Sequence, residues 1–352
     1  MEIRVTGEIP AEFRNSEDQL PIFTQPGYAR FIRSIPSRSY FWAHAPGHGL
    51  LMPFMTSRRW GITSLRILFP AWSPDESKPD LTKAFLNGFV QLVRERNLAD
   101  FIAQSPEISV FDNCPDGATF VAFGTYITDL RLSEEALFSA VTRSHRNQIR
   151  KAKNAGVTIR HGTGLLREAH EIIGHTHRKA GHAPLDIREF ERYVEYLPGN
   201  STFFVSYNGD HPQSAVFFLY SPYSSFALMA GSLDKTVPGN NNLLHWEAML
   251  HFKGQGVRSY DLVGSRIDPP RDSKYHGLNV FKRKFGGRLK RGYLWRYPLN
   301  CKYPVVKFLA DRLAPVSGKF SMHDIIDQEL RRAGGTPPEP RDGTGEEREE
   351  NE

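Results

Sequence analysis

The sequence predicts an α/β (α+β) protein of two lobes, each a mixed, mainly antiparallel sheet flanked by helices. Three observations lead there. The chain has 352 residues, long for one average domain and comfortable for two. Apolar residues make up 39% and include 24 Phe, which supplies cores rather than disorder. Segments with helical spacing alternate with short β-rich runs, and no short-period repeat is visible.

Taken in order, 1–20 is a polar lead-in. Ile22–Ile32 has helical spacing. Tyr40–His44 and Leu50–Met55 read as strands joined across a Pro/Gly turn, and Leu65–Phe69 is a further strand. Leu81–Arg96 is an amphipathic helix, with Phe85, Phe89 and Leu92 on one side. Short strands at Ile108–Val110 and Phe120–Phe123 complete a first lobe, 21–125. The second lobe, 126–300, opens on one long helix: Ser133 is its N-cap, Leu137, Val141, Ile149 and Ala152 form its buried line, and Gly156 closes it. A second helix covers Leu165–Ala180. Thr202–Tyr207 and Ser214–Tyr220 form a hairpin around Asn208-Gly209, and Phe226–Ala230 is a third strand. A helix over Asn241–Lys253 and a strand at Ser259–Val263 follow. A helical extension occupies 301–333, and 334–352 reads as a disordered acidic tail.

Composition narrows the function classes. No apolar run approaches the roughly 20 residues that cross a bilayer, so no transmembrane segment is expected. The N-terminus lacks a signal-peptide pattern, and Cys114 and Cys301 stand far apart, which together imply a cytoplasmic protein without a disulfide framework. His170, His175, His177 and His182 crowd one stretch, but their spacing does not align ligands and no Cys or close carboxylate pair completes a site; no metal is expected. The net charge of +6 divides into −5 on 334–352 and +11 on the rest, so the body suits an anionic carrier or precursor, with tRNA and an anionic membrane surface among the partners; a basic surface that only aids solubility gives the same count.

Three segments carry chemistry. Arg143–Lys153 holds five cations and no acid, either an anion-binding surface using Arg146 and Arg150 or a solvated helix end. The loop ending in Asn240-Asn241-Asn242 precedes a helix whose free N–H groups suit a phosphate or an oxyanion, although Asn is also a good N-cap. Between Arg271 and Arg296, nine Lys/Arg and one acid interleave with Tyr275, Phe281, Phe285, Tyr293 and Trp295. That pattern suits a phosphate-bearing ligand with a stackable ring, or core aromatics between surface cations.

The second lobe resembles the FemAB-type aminoacyltransferases and the related BioF2-like acetyltransferase domains. The residues that carry the resemblance are Asp129-Leu130 with Arg146–Ala152, then Asn241–Ala248, Tyr260–Gly264 and, most specifically, Gly277-Leu-Asn-Val-Phe-Lys-Arg-Lys-Phe-Gly-Gly287. Two helices, an antiparallel meander, a helix and a strand is also the element order of an acetyltransferase-type (GNAT-like) lobe. The Gly-rich phosphate cradle of coenzyme-A-dependent acetyltransferases is absent.

The resemblance implies twin acetyltransferase-like lobes that move an aminoacyl or acyl group to an amine of a cell-envelope, peptidoglycan or saccharide precursor. Its co-substrate is an aminoacyl-tRNA or an acyl-CoA, with no tightly bound cofactor. It assigns Lys282 to an anionic substrate or oxyanion. Asp261, at a strand end, is the base candidate, with a turn cap as its plainer role. Arg146, Arg150, Asn241, Asn242, Trp246, Tyr275, Phe281 and Lys284 are expected around the substrate. Two readings stand beside this one: a CoA-dependent N-acyltransferase of sugar or secondary metabolism, and a non-catalytic protein binding RNA or a membrane surface. Lys282→Ala is expected to cut activity by about tenfold or more at nearly unchanged stability.

Overall fold

The computed structural model describes residues 1–59, 61–74, 79–105, 108–183, 185–317 and 324–333. In chain order the elements are β1 (Arg4–Thr6), α1 (Pro26–Arg33), β2 (Arg38–Ala45), β3 (Leu50–Arg59), β4 (Ile62–Ile67), α2 (Pro79–Glu95), β5 (Phe101–Gln104) and β6 (Thr119–Asp129). Then come α3 (Glu134–Ala140), α4 (Arg143–Asn154), β7 (Val157–His161), α5 (Leu166–Lys179), α6 (Ile187–Tyr196), β8 (Ser201–Asn208), β9 (His211–Tyr220) and β10 (Ser225–Ser232). The chain continues through α7 (Asn240–Gly254), β11 (Ser259–Asp261), β12 (Ser265–Arg266), α8 (Lys274–Lys284), β13 (Arg288–Pro298), α9 (Lys302–Ser317) and α10 (Ile325–Arg332).

The two lobes share a strand. Hydrogen bonding runs β1-β2-β3-β4-β5-β13-β6-β11-β10-β9-β8-β7, with β12 attached to β6. The far end of β13 pairs with β5 through Tyr297 and Pro298, and the rest of it pairs antiparallel with β6 from Arg288 to Arg296. One buried core lies under α2 in the first lobe around Phe54, Phe85 and Phe89, and a second lies under α4 and α7 around Phe218, Phe252 and Tyr260. A third core spans both lobes: Phe31 of α1 stacks on Tyr193 of α6 at 4.2 Å, and Phe23 meets Phe226 of β10 at 4.9 Å.

Several local expectations change. The helix expected after Ser133 is two helices. Ser133 does cap α3, accepting from the Ala136 amide at 3.2 Å, but Thr142 is extended and its amide donates to the Lys284 carbonyl at 2.9 Å. Contact with the end of α8 therefore breaks the helix, and a long-range contact of that kind leaves no periodic trace. Helical spacing across Ile22–Ile32 resolves into a 3-10 turn at Ile22–Thr24 and α1, separated by Gln25, with Pro26 at the first helical position. The short strand at Phe120–Phe123 is the first half of an 11-residue strand, β6, which runs unbroken through residue 125. Ile108–Val110 is not a strand; next to it Phe111 forms a single bridge to Tyr293. The segment expected to interleave aromatics with cations ends in β13, where Trp295 is fully buried against Phe111 at 5.7 Å. For that residue the core reading holds: alternation along the strand turns it to one core, and its neighbours Leu294 and Arg296 are buried on the opposite face. The acidic tail, 334–352, lies outside the described residues. Among those residues no helix is long and apolar enough to cross a membrane.

Candidate active site

The sheet opens at its centre. β10 and β11 run parallel but pair only at Ser225–Tyr260 and Phe226–Asp261, after which β10 continues to Ser232 bonded to β9 alone. Asp261 thus sits where the two strands part, and its neighbour across the sheet is Ile127 of β6. A cavity lies against this face. Phe69, Pro70 and Ile108 wall it from the first lobe, and Thr125, Phe226, Ser259, Asp261 and Lys290 from the central sheet.

Asp261 is 8% exposed. Its Oδ1 accepts hydrogen bonds from the Thr125 hydroxyl and, at 2.7 Å, from the Val263 amide. Burial pushes its carboxyl up from 3.8 to about 6, and the bonds from Thr125 and Val263 only partly offset the desolvation. Val263 lies in the left-handed region (φ 48°), uncommon for a β-branched residue, and that turn aims its amide at the carboxylate. The same residue anchors Lys282: the ammonium of α8 donates to the carbonyls of Val263 and Gly264, each at 2.7 Å. Desolvation lowers the Lys282 amine from 10.5 to about 8, against the attraction of Asp261. A carboxyl raised toward neutrality and an amine lowered toward it therefore share one backbone turn, the pairing of shifts that general acid–base chemistry uses. Stability depends on Lys282 too, since its loss leaves two carbonyls unpaired. The expectation that Lys282→Ala leaves stability nearly unchanged is corrected on that ground.

Behind the sheet, His245 of α7 is buried and hydrogen-bonds Tyr260 through Nδ1 at 2.6 Å. Desolvation and the Lys282 charge hold the imidazole down at about 3, so it is neutral at pH 7. His145 of α4 is lowered to about 4, mainly by burial. Phe281 packs between these rings, 5.3 Å from His145 and 5.6 Å from His245.

The remaining predicted residues fall in separate places. Arg146 donates to the carbonyls of Ser139 at 3.0 Å and Val141 at 2.5 Å, closing the end of α3. Arg150 lies over the Phe138 ring at 5.6 Å, and buried Trp246 meets the same ring at 4.9 Å. Asn241 and Asn242 occupy the first turn of α7, where the Asn241 Oδ1 is buried without a partner. It is Asn240, one residue earlier, that reaches inward, accepting from Ser206 at 3.2 Å and Ser214 at 2.6 Å. Before it, Gly239 is left-handed (φ 85°), and a Cβ there would lie 2.2 Å from the Gln148 carbonyl oxygen, so α4 closes tightly on this turn. Tyr275 stacks on the Arg266 guanidinium at 3.8 Å. The Lys284 ammonium lowers His145, while its carbonyl receives Thr142. Of the predicted residues Asp261 alone lines the cavity, Lys282 joins it through the Val263–Gly264 turn, and Phe281 stays behind the sheet with His145 and His245. Sequence reasoning missed Thr125, His145 and the His245–Tyr260 pair. His245 and Tyr260 lay within segments already singled out, whereas Thr125 had no signal beyond strand alternation. The histidines of α5 scatter: His170 meets the Leu185 carbonyl, His175 faces Asp234, and His177 meets His182 edge-to-face.

Residues 139–283 match the acetyltransferase (GNAT) domain family, a stretch that contains both Asp261 and Lys282. Fold and matched domain together define an acyltransferase built on a two-lobed GNAT-like scaffold. Over most of its length the chain follows FemX, with a TM-score of 0.65 at 15% identity, covering 88% of this chain and 100% of that one. A second similar structure is the C-terminal domain (DUF2156) of a candidate lysylphosphatidylglycerol synthetase from Agrobacterium fabrum, with a TM-score of 0.51 at 13% identity, covering 85% and 97%. At these identities the likeness speaks to fold. Among curated protein sequences no significant match is found.

Proposed function

We propose that this acyltransferase moves an aminoacyl or acyl group from an activated carrier to the amine of a cell-envelope, peptidoglycan or saccharide precursor, in the cytoplasm, with Asp261 as the general base. The observation that carries the reading is the desolvated Asp261 carboxylate lining the cavity between the lobes, where β10 and β11 part. The amine nitrogen attacks the carbonyl carbon and the carbon–oxygen or carbon–sulfur bond to the carrier breaks. The nitrogen's proton passes to Asp261 and then to the departing oxygen or sulfur. A base in this position contributes about 10²–10⁴-fold. Lys282, two of whose three protons are spent on carbonyls, holds the turn and supplies positive charge beside the developing oxyanion.

The carrier is an aminoacyl-tRNA or an acyl-CoA. Close packing of Gln148 on Gly239 and the missing Gly-rich cradle favour the former, and the matched domain family favours the latter. The basic body accords with either, and with peripheral contact to an anionic surface. Incubation with radiolabelled aminoacyl-tRNA or acyl-CoA and a pool of amine acceptors separates the readings. Label moving from one donor class supports transfer and names the carrier. Salt-sensitive binding of both without any transfer refutes the enzyme reading.

A further inference from the structure

The cavity at Asp261 is walled mainly by apolar side chains, and most of its polar atoms are spent on the protein itself. The Thr125 hydroxyl donates to Asp261 Oδ1, which also takes the Val263 amide. Ser224 donates to the Ser259 carbonyl at 3.2 Å, and the Ser259 hydroxyl donates to the Tyr223 carbonyl at 3.2 Å. Lys290 reaches the Asp112 carboxylate at 3.4 Å. Two polar atoms of the lining remain: Oδ2 of Asp261 and the hydroxyl of Tyr223, neither of which has a hydrogen-bond partner among the described residues. A polar atom set in an apolar wall without a partner costs free energy unless something else satisfies it.

Tyr223 is held firmly in the turn between β9 and β10. Its amide donates to Ser221 Oγ at 3.3 Å, and the Ser221 hydroxyl is anchored on the Leu20 carbonyl at 2.9 Å. Phe69 of the first lobe meets the ring edge-on at 6.0 Å. Burial, with the charges of Asp261 and Asp112, pushes the phenol above its ordinary value, so the oxygen keeps its proton at neutral pH. A fixed donor of this kind, in a wall that excludes water, acts most strongly on an oxygen that gains charge. Attack by the amine creates one: as the nitrogen–carbon bond forms, the carbonyl electron pair moves onto oxygen. Lys282 does not line the cavity, and two of its three protons are spent on carbonyls. We propose that the Tyr223 hydroxyl donates a hydrogen bond to that carbonyl oxygen, across the cavity from Asp261. The phenol keeps its proton throughout, and the electron pair returns to carbon as the bond to the carrier breaks. This role rests on the acyl-transfer reading.

The test compares the full wild-type chain with Tyr223→Phe, which removes one oxygen and keeps the ring. Both are assayed for transfer from radiolabelled aminoacyl-tRNA and from radiolabelled acetyl-CoA to a pool of amine acceptors. With whichever donor the wild type uses, the single-turnover rate of Tyr223→Phe is expected to fall between about 10-fold and 10³-fold. The donor concentration at half-saturation stays nearly unchanged, because the bond strengthens only as charge develops. The melting temperature also stays unchanged, because the hydroxyl bonds nothing in the fold. A rate within about threefold of wild type overturns the proposal alone, and so does a lowered melting temperature, which would show the hydroxyl bound within the protein. Absence of transfer by the wild type from both donors removes the acyl-transfer reading and this role with it.

Discussion

Replacing Asp261 by Asn removes a base while keeping its shape, and the structure gives two magnitudes for it. Raising the carboxyl from 3.8 to about 6 corresponds to roughly 3 kcal/mol of preference for the protonated form in the folded state. Because the folded value lies above the unfolded one, the stability tied to this group is present below about pH 4 and is lost as pH rises through about 6. At pH 8 the wild-type chain thus carries a buried charge that the amide variant would not. Asp261→Asn is therefore expected to melt no lower, and by up to about 3 kcal/mol higher in free energy, while the two proteins converge at pH 4. Turnover moves the other way: with the donor identified by label transfer, kcat is expected to fall about 10²–10⁴-fold at little change in KM. Single-turnover rates across pH, paired with thermal unfolding at pH 4 and 8, are the assay. Wild-type turnover by a correctly folded Asp261→Asn protein refutes the base assignment.

Other expectations follow from the same geometry. The wild-type pH–rate profile is bell-shaped, rising near 6 as Asp261 ionises and falling near 8 as Lys282 loses its proton, and the lower limb vanishes in Asp261→Asn. Lys282→Ala slows turnover at least about tenfold and, by stranding the Val263 and Gly264 carbonyls, lowers stability by about 1–3 kcal/mol in urea titration. Tyr260→Phe leaves the His245 nitrogen unpaired in the core, at a cost of about 1–3 kcal/mol in the same titration. Gly239→Ala, forced into a left-handed turn and onto the Gln148 carbonyl, costs at least about 2 kcal/mol.

What the sequence revealed follows the range of the forces involved. Local signals carried far: the Asn208-Gly209 turn lies between β8 and β9, Ser133 caps α3, and the helix expected over Asn241–Lys253 is α7 to within a residue at each end. Asp261 was readable as a carboxylate at a strand end. Its burial was not, because the walls come from Phe69 and Ile108, 192 and 153 residues earlier in the chain. The same limit hid the break at Val141–Thr142, set by the end of α8, and the shared strand β13, whose charges resembled a ligand surface. Arg146 shows the reverse case: among clustered cations, only tertiary geometry distinguishes one that closes a neighbouring helix.

The account depends on a desolvated carboxyl where the sheet divides, and that group can be titrated without any substrate. Carbon-13 spectra of aspartate-labelled protein, with Asp261→Asn used to assign the resonance, should give an Asp261 midpoint near 6. A midpoint near 4, the ordinary value for an exposed aspartate, contradicts it.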